Sequence, residues 1–306
     1  MHRRTLCLLL ASATALLARD RIAYIEFFGY KGIDMSTVRR ALLLHEGDRV
    51  PKDASDRARA AVKHATGREA TDVAVVCCTA DDSVLFIGLP GESSQAITLN
   101  AAPQGNVAIS PQLAALYRKM DDAETAALRK GHAEEEDAAG YRLTKDSRAR
   151  AAELALREYA LHHEDEIVRV LASSAQAAQR SMAADALGFG ERSPRQIAAL
   201  VHAVKDPDSS VRNNSTRALI EILRADPSVA SRIAPDNFID MIRSGIWSDR
   251  NKASGVLLYL TQLRDPRLLV RLKSEVSGAL EEMAHWRATN WSYPARAILE
   301  RIAGIP

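Results

Sequence analysis

Residues 203–223 read AVKDPDSSVRNNSTRALIEIL, and this stretch decides the fold because it recurs. Aligning VRNNSTRALI (211–220) with QRSMAADALG (179–188) sets Ala218-Leu219 against Ala186-Leu187, a spacing of 32. Ala155-Leu156 stands 31 residues earlier still, in AAELALREYAL. Downstream, DRNKASGVLLYL (249–260) places Val256-Leu257 at a spacing of 38, with Arg250-Asn251 matching Arg212-Asn213. Ala297-Ile298 follows 41 residues later. Periods of 30 to 45 residues with helical patterning signal a solenoid. Between these segments lie candidate partner helices at 164–171, 194–204, 235–242 and 266–283. Pro194, Pro235 and Pro266 sit at first-turn positions, where the missing N–H costs nothing. Each helix pair carries an apolar stripe that it cannot bury alone, so stacking on neighbours is required.

Residues 203–223 resemble a HEAT repeat. The family's turn between paired helices carries Asp-Pro, here Asp206-Pro207, and its second helix opens with Val-Arg, here Val211-Arg212. The turn is echoed at Asp265-Pro266, but no Asp-Pro precedes Arg250. The resemblance covers about 150 residues and implies an all-α superhelical array over 148–306. The chain as a whole resembles bacterial HEAT-repeat proteins. The Asp-Pro-x-x-x-Val-Arg spacing speaks for architecture and is silent on activity.

Upstream, the pattern changes. Ile22, Tyr24 and Phe27-Phe28 favour a strand that Gly29 and Gly32 break. Helices fit 37–44 and 53–66, with Gly67 where a C-terminal cap belongs. VAVVCC (73–78) and VLFIGL (84–89), joined by Ala80-Asp81-Asp82, make a hairpin. The order β-α-α-β-β over 19–90, with the Gly47-Asp48 corner, resembles the POTRA domain of bacterial envelope proteins. It departs from that family at Leu89-Pro90-Gly91, where the last strand stops. The resemblance implies binding of a polypeptide by strand addition to a sheet edge; a generic small α+β domain is the alternative. Cys77 and Cys78 are read as structural, because neighbouring strand residues point to opposite faces and lack the spacer of a redox pair.

Residues 91–110 read as a linker, with one short strand at 96–99. Residues 111–147 read as a helical connector, in which Ser110-Pro111 starts a helix that Gly131 stops. The acidic run Glu134-Glu135-Glu136-Asp137 lacks the Gly and alternating oxygen ligands of a calcium loop, and reads as a solvated loop or helix start.

The first residues, MHRRTLCLLLASATALLARD, have the layout of a secretory leader: Arg3-Arg4, an apolar run over 5–17, then Ala18. The run is shorter than the ~20 residues that span a bilayer. A signal peptide over 1–18 implies a periplasmic or extracellular protein; an uncleaved membrane anchor is the alternative. Cys7 is not a lipoprotein acceptor, since no apolar segment precedes it. Removing 1–18 deletes two arginines, so 41 basic residues fall to 39, matching the 39 acidic ones. Within that neutral chain, residues 179–306 hold 18 basic and 14 acidic side chains, and residues 109–178 hold 10 and 13.

Composition sets further bounds. With 47% hydrophobic and 26% charged residues the chain is neither disordered nor fibrous. Three cysteines cannot staple a disulfide scaffold. The small net charge argues against nucleic acid as partner. Neither a phosphate-binding Gly-rich loop nor a nucleophile elbow is present. His162-His163-Glu164-Asp165 is the densest titratable cluster, and it reads as a polar inter-helix loop. No catalytic, cofactor or metal residues are assigned.

The sequence therefore suggests a non-catalytic scaffold that binds a protein partner through a concave face. Arg212, Asn213, Asn214 and Arg217 on one second helix, with Arg250, Asn251 and Lys252 on the next, are expected to line it. The alternative for Arg212 and Arg250 is an internal ladder to acids in neighbouring turns. Trp247, Trp286 and Trp291 are candidate interface aromatics or core residues of the last repeat. The rival function is a HEAT-like enzyme, chromophore-lyase-like or DNA-glycosylase-like, holding its ligand in the concave groove.

Overall fold

The computed structural model describes residues 21–79, 82–132, 134–136 and 141–304. Residues 1–18, read from sequence as a leader and including Cys7, together with Asp137 and the side chains of Cys77 and Cys78, lie outside the described residues. Most of the described chain is helical, with one three-stranded sheet near its start. Among the described residues no helix is long and apolar enough to cross a membrane. Two compact units form. One contains the described residues up to Ala96 together with Arg243–Trp247 and Val276–Leu299. The other contains Ile97–Ile242, Ser248–Glu275 and the residues from Glu300 onward.

The sheet unit is built from β1 (Ile22–Phe28), α1 (Met35–Ala41), α2 (Ala54–Thr66), β2 (Asp72–Thr79) and β3 (Asp82–Gly88). The strand order is β1-β3-β2, with β1 parallel to β3 and β2 antiparallel to it. Asp34 caps α1 by accepting from the Ser36 N–H at 2.9 Å. Gly67 closes α2 in the left-handed conformation, as its sequence position indicates. The first helix ends at Ala41 rather than Leu44, because Leu42 is already extended. Ile25, Phe27, Leu85 and Ile87 project to one face and pack against Val38, Ala58 and Val62 of the helices.

The opposite face explains why Val84–Ile87 of β3 is apolar without interruption: it is covered too. Phe86 lies 5.0 Å from Trp247, 4.9 Å from Trp286 and 5.5 Å from Trp291, ring centre to ring centre. Trp286 also donates its indole N–H to the Phe27 carbonyl at 3.1 Å. The three tryptophans, read from sequence as interface anchors or as the last repeat's core, instead form the sheet's second core. Residues 243–247 and 276–299 group with the sheet for this reason, although the sequence reading assigns them to the repeats. The turn after β1 is locked by Glu282, which accepts from the Gly29 N–H at 2.7 Å, the Tyr30 N–H at 3.1 Å and the Ser93 hydroxyl at 2.5 Å. Gly29 has φ +71°, and a Cβ there would sit 2.5 Å from the Leu89 carbonyl oxygen.

The helical unit begins with an extended segment. The expected strand at 96–99 does not form. Residues 97–109 are tied to the ends of helices instead. The Asn100 N–H donates to the Lys205 carbonyl at 2.7 Å, and the Ala175 N–H to the Gly105 carbonyl at 2.9 Å. Then come α3 (Pro111–Arg129), β4 (Glu135–Glu136), β5 (Leu143–Thr144), α4 (Ser147–His162), α5 (Glu164–Ser173), α6 (Ala177–Leu187), α7 (Pro194–Ala203), α8 (Ser209–Ala225) and α9 (Asp236–Ile242). α10 (Trp247–Leu260), α11 (Pro266–Ala284) and α12 (Thr289–Ala303) follow, and each has residues in both units. Every helix expected from the repeat alignment is present. Side-chain caps fix the starts: Ser110 for α3, Asp146 for α4, Ser193 for α7 and Asp208 for α8. α6 packs most closely against α8 and α5 and less against α4 and α7, while α7 packs against α8, α5 and α6. Thus α4, α6 and α8 lie side by side in one row, and α5 and α7 lie in another.

Candidate functional site

The row α4-α6-α8 is held to its neighbours by arginines. Arg212, at the start of α8, donates from Nε and Nη2 to the Asp249 carboxylate at 2.9 and 3.0 Å. Its Nη1 donates to the Asp206 carbonyl at 2.8 Å. Arg180 on α6 repeats the arrangement 32 residues earlier. It donates from Nε and Nη2 to Asp206 at 2.7 and 2.8 Å, and from Nη1 to the Ser174 carbonyl at 2.9 Å. Each rung therefore ties a helix start to an acid further along the chain and to a carbonyl six residues back.

Arg212 and Asp249 are both 1% exposed in their side chains, and Arg250 is fully buried. This corrects the expectation that Arg212 and Arg250 face a partner; for Arg212 the ladder alternative is what the structure shows. A guanidinium with two carboxylate bonds and a carbonyl bond tolerates burial that an unpaired one would not. Arg180 is the rung that sequence reasoning missed. It stands opposite Arg212 in the alignment, but no Asp-Pro precedes it.

The other expected residues remain partly exposed: Asn213, Asn214, Arg217, Asn251 and Lys252. Asn214 donates to the Ser181 carbonyl at 3.1 Å and hydroxyl at 3.0 Å, joining α8 to α6. Asn213 donates to Asn214 at 3.1 Å. Arg217 pairs with Glu135 of β4. The acidic run, read from sequence as a solvated loop, thus becomes one strand of a minimal hairpin whose carboxylates each hold a cation: Glu134 to Lys145 at 2.6 Å, Glu136 to Arg150 at 2.7 Å, and Glu135 to Arg217.

Below the hairpin lies a network that the sequence does not disclose. Arg142 is buried, donating from Nη1 to Asp185 at 2.6 Å and from Nη2 to Glu124 at 2.8 Å, with its guanidinium 5.1 Å from the Phe189 ring centre. Tyr117 donates to Asp185 at 3.1 Å. Thr144 donates to Glu153 from its N–H at 2.7 Å and its hydroxyl at 2.5 Å. Burial pushes Asp185 up, but Arg142 outweighs it and holds that carboxyl below its ordinary value. Glu124 goes the other way: burial pushes it up to about 7 against the pull of Arg142. Lys252 is pushed down to about 8, first by burial and then by Arg217.

Perturbed groups of this kind also occur in active sites, but beyond burial Glu124 answers to Arg142 and Asp185 whereas Lys252 answers first to Arg217, and no bond joins the two among the described residues. A cavity lined by Arg142, Asp185, Phe189, Arg217 and Glu221 has a volume of only ≈ 10 Å³. That is about the room for one water. Larger cavities lie elsewhere in each unit. One of ≈ 300 Å³ is lined by Val168, Leu171, Ala198 and Ala199. Another, of ≈ 530 Å³ in the sheet unit, has charged walls that close on one another, Arg287 bonding Glu46 at 2.9 Å and Glu26 at 3.3 Å. The histidine cluster does not converge. His162 and His163 face the carbonyls of Glu158 and Tyr159, Glu164 accepts from Ser193, and Asp165 pairs with Arg195. Among the described residues no three His, Cys, Asp or Glu side chains gather as a metal set.

The Glu124 environment makes stability depend on pH. Its folded value lies above that of an unfolded carboxyl, so the folded state holds the proton longer. This group's contribution is most favourable below about 4.5 and is lost as pH rises through about 7. Glu124→Gln should accordingly flatten the decline in melting temperature between pH 5 and pH 8. An unchanged slope would contradict the assignment.

No family model and no curated protein matches this chain.

Proposed function

We propose that the chain is an exported, HEAT-like binding protein that captures a polypeptide partner on the face formed by α4, α6, α8 and the start of α10. The HEAT-like part of this reading is supported by the rung pattern, since Arg180 and Arg212 make the same three-way bond 32 residues apart. The observation that carries the binding part is the set of polar and cationic side chains that stays partly exposed on that face. With Arg212 and Arg250 consumed inside, the binding residues reduce to Asn213, Asn214, Arg217, Asn251 and Lys252. Export rests on the leader layout of residues 1–18, and an intact Met1 on the native protein would contradict it.

A second reading has its own support. Among the described residues no strand pairs with the outer edge of β2, whose Val75 is 41% exposed and which carries neither Lys nor Pro to discourage pairing. A POTRA-like domain would accept a partner strand there.

One experiment separates the two. The chain from Arg19 onward is immobilised and challenged with envelope extract. A partner that binds the helical face is lost by about tenfold or more with Arg217→Glu and retained with Val75→Pro. The reverse result supports the β2 edge, and indifference to both changes contradicts both readings.

A further inference from the structure

We infer that the Arg217 face takes an extended acidic segment of a partner polypeptide, in the place now held by the chain's own Glu134–Glu136. This rests on the helical-face reading of function and adds the chemistry of the partner.

The two strands of the hairpin are held very differently. β5 is an anchor: Leu143 and Thr144 are buried, Arg142 just before them is pinned between Asp185 and Glu124, and Thr144 is doubly bonded to Glu153. Among the described residues β4 has no such root. Its ladder is two residues long, and Glu135 and Glu136 are exposed. The ion pairs of Glu134, Glu135 and Glu136 join side chains that are 31% to 71% exposed. Pairs that open to water are screened and hold weakly. An incoming strand with the same carboxylates recovers every one of those bonds, so exchange costs little.

The three cations come from three places: Lys145 ahead of α4, Arg150 on α4 and Arg217 on α8. They meet the strand from alternating sides, Lys145 and Arg150 taking Glu134 and Glu136 and Arg217 taking Glu135 between them, a pattern that consecutive carboxylates on an extended backbone satisfy. Lys252 adds a fourth cation near Arg217 and Glu135. No ion pair to Lys252 is present among the described residues, and the charges nearest it are Arg217 and Glu221 of α8, Glu135 of β4, and Arg142. An acidic side chain reaching Lys252 stabilises its protonated form. Affinity is therefore full below about pH 8 and falls as pH rises above it.

The test uses the full chain and a fluorescein-labelled peptide of residues 132–140 (HAEEEDAAG), read by anisotropy. The wild type, whose face is occupied, binds weakly. The triple variant Glu134→Ala, Glu135→Ala, Glu136→Ala binds at least about tenfold more tightly, and adding Arg217→Glu removes that gain. Because the triple variant could lose fold, Glu135→Gln serves as the milder opener, and circular dichroism confirms the folded state of each protein. Equal affinity for wild type and both opened variants overturns the inference. So does affinity indifferent to Arg217, or an oligonucleotide of equal charge that displaces the peptide at lower concentration. Failure of the peptide alongside Arg217-dependent capture of a partner sinks only the acidic-segment inference; loss of Arg217 dependence in both sinks the binding face itself.

Discussion

Replacing Arg212 with Ala is expected to lower the melting temperature by on the order of 10 °C. The change removes two carboxylate bonds to Asp249 and bonds to the Asp206 and Pro207 carbonyls. The larger effect is what it leaves behind, an Asp249 side chain 1% exposed and without the guanidinium that faces it. Breaking one side of a buried pair costs about 3–5 kcal/mol. A unit of this size shifts by roughly 2–4 °C per kcal/mol. The pair as a whole need not be stabilising, so Arg212→Met with Asp249→Leu should recover most of the loss. Arg217→Ala, which opens a partly exposed pair, should cost less than about 1 kcal/mol. If Arg212→Ala proved no more damaging than Arg217→Ala, the ladder would not be what holds the helices in register.

Trp286→Ala should be comparably severe in the sheet unit. Trp286 is 1% exposed, packs edge-on against Phe86 and Phe28, and bonds the Phe27 carbonyl. Emptying such a site costs about 3–5 kcal/mol. Trp286→Phe keeps most of the volume, loses the indole N–H, and should cost about half as much. The readout is amide hydrogen exchange on β1 and β3, whose protection should fall first. Protection that holds in both strands would show that the aromatic cluster does not support the sheet.

Much of this architecture is legible in the sequence, because local chemistry fixes it. Asp34, Ser110 and Asp208 cap helices, Pro194 sits in a first turn and Gly67 takes a left-handed cap. Those signals act within four residues. The period of 32 is legible for a related reason, since equivalent helices need equivalent buried faces. What stays hidden is which distant surface a stripe meets. Trp247, Trp286 and Trp291 announce burial or an interface equally well, and nothing local says that Phe86 awaits them. Arg212 reads as a surface cation until Asp249, 37 residues on, is seen to bury it. The hairpin is the hardest case. Two-residue strands give no alternation to detect, and Arg142 looks like any other exposed arginine until Asp185 and Glu124 close on it.

If Arg217 presents the charge that a partner's acidic segment recognises, exchanging the two charges preserves binding. The protein carries Arg217→Glu together with Glu135→Gln, and the probe is the 132–140 peptide with Lys in place of the central glutamate. The account expects this reversed pair to bind within about threefold of the unreversed pair, the Glu135→Gln chain with the unchanged peptide, while each mismatched pair binds at least about tenfold more weakly. Equal binding by all four combinations would contradict it.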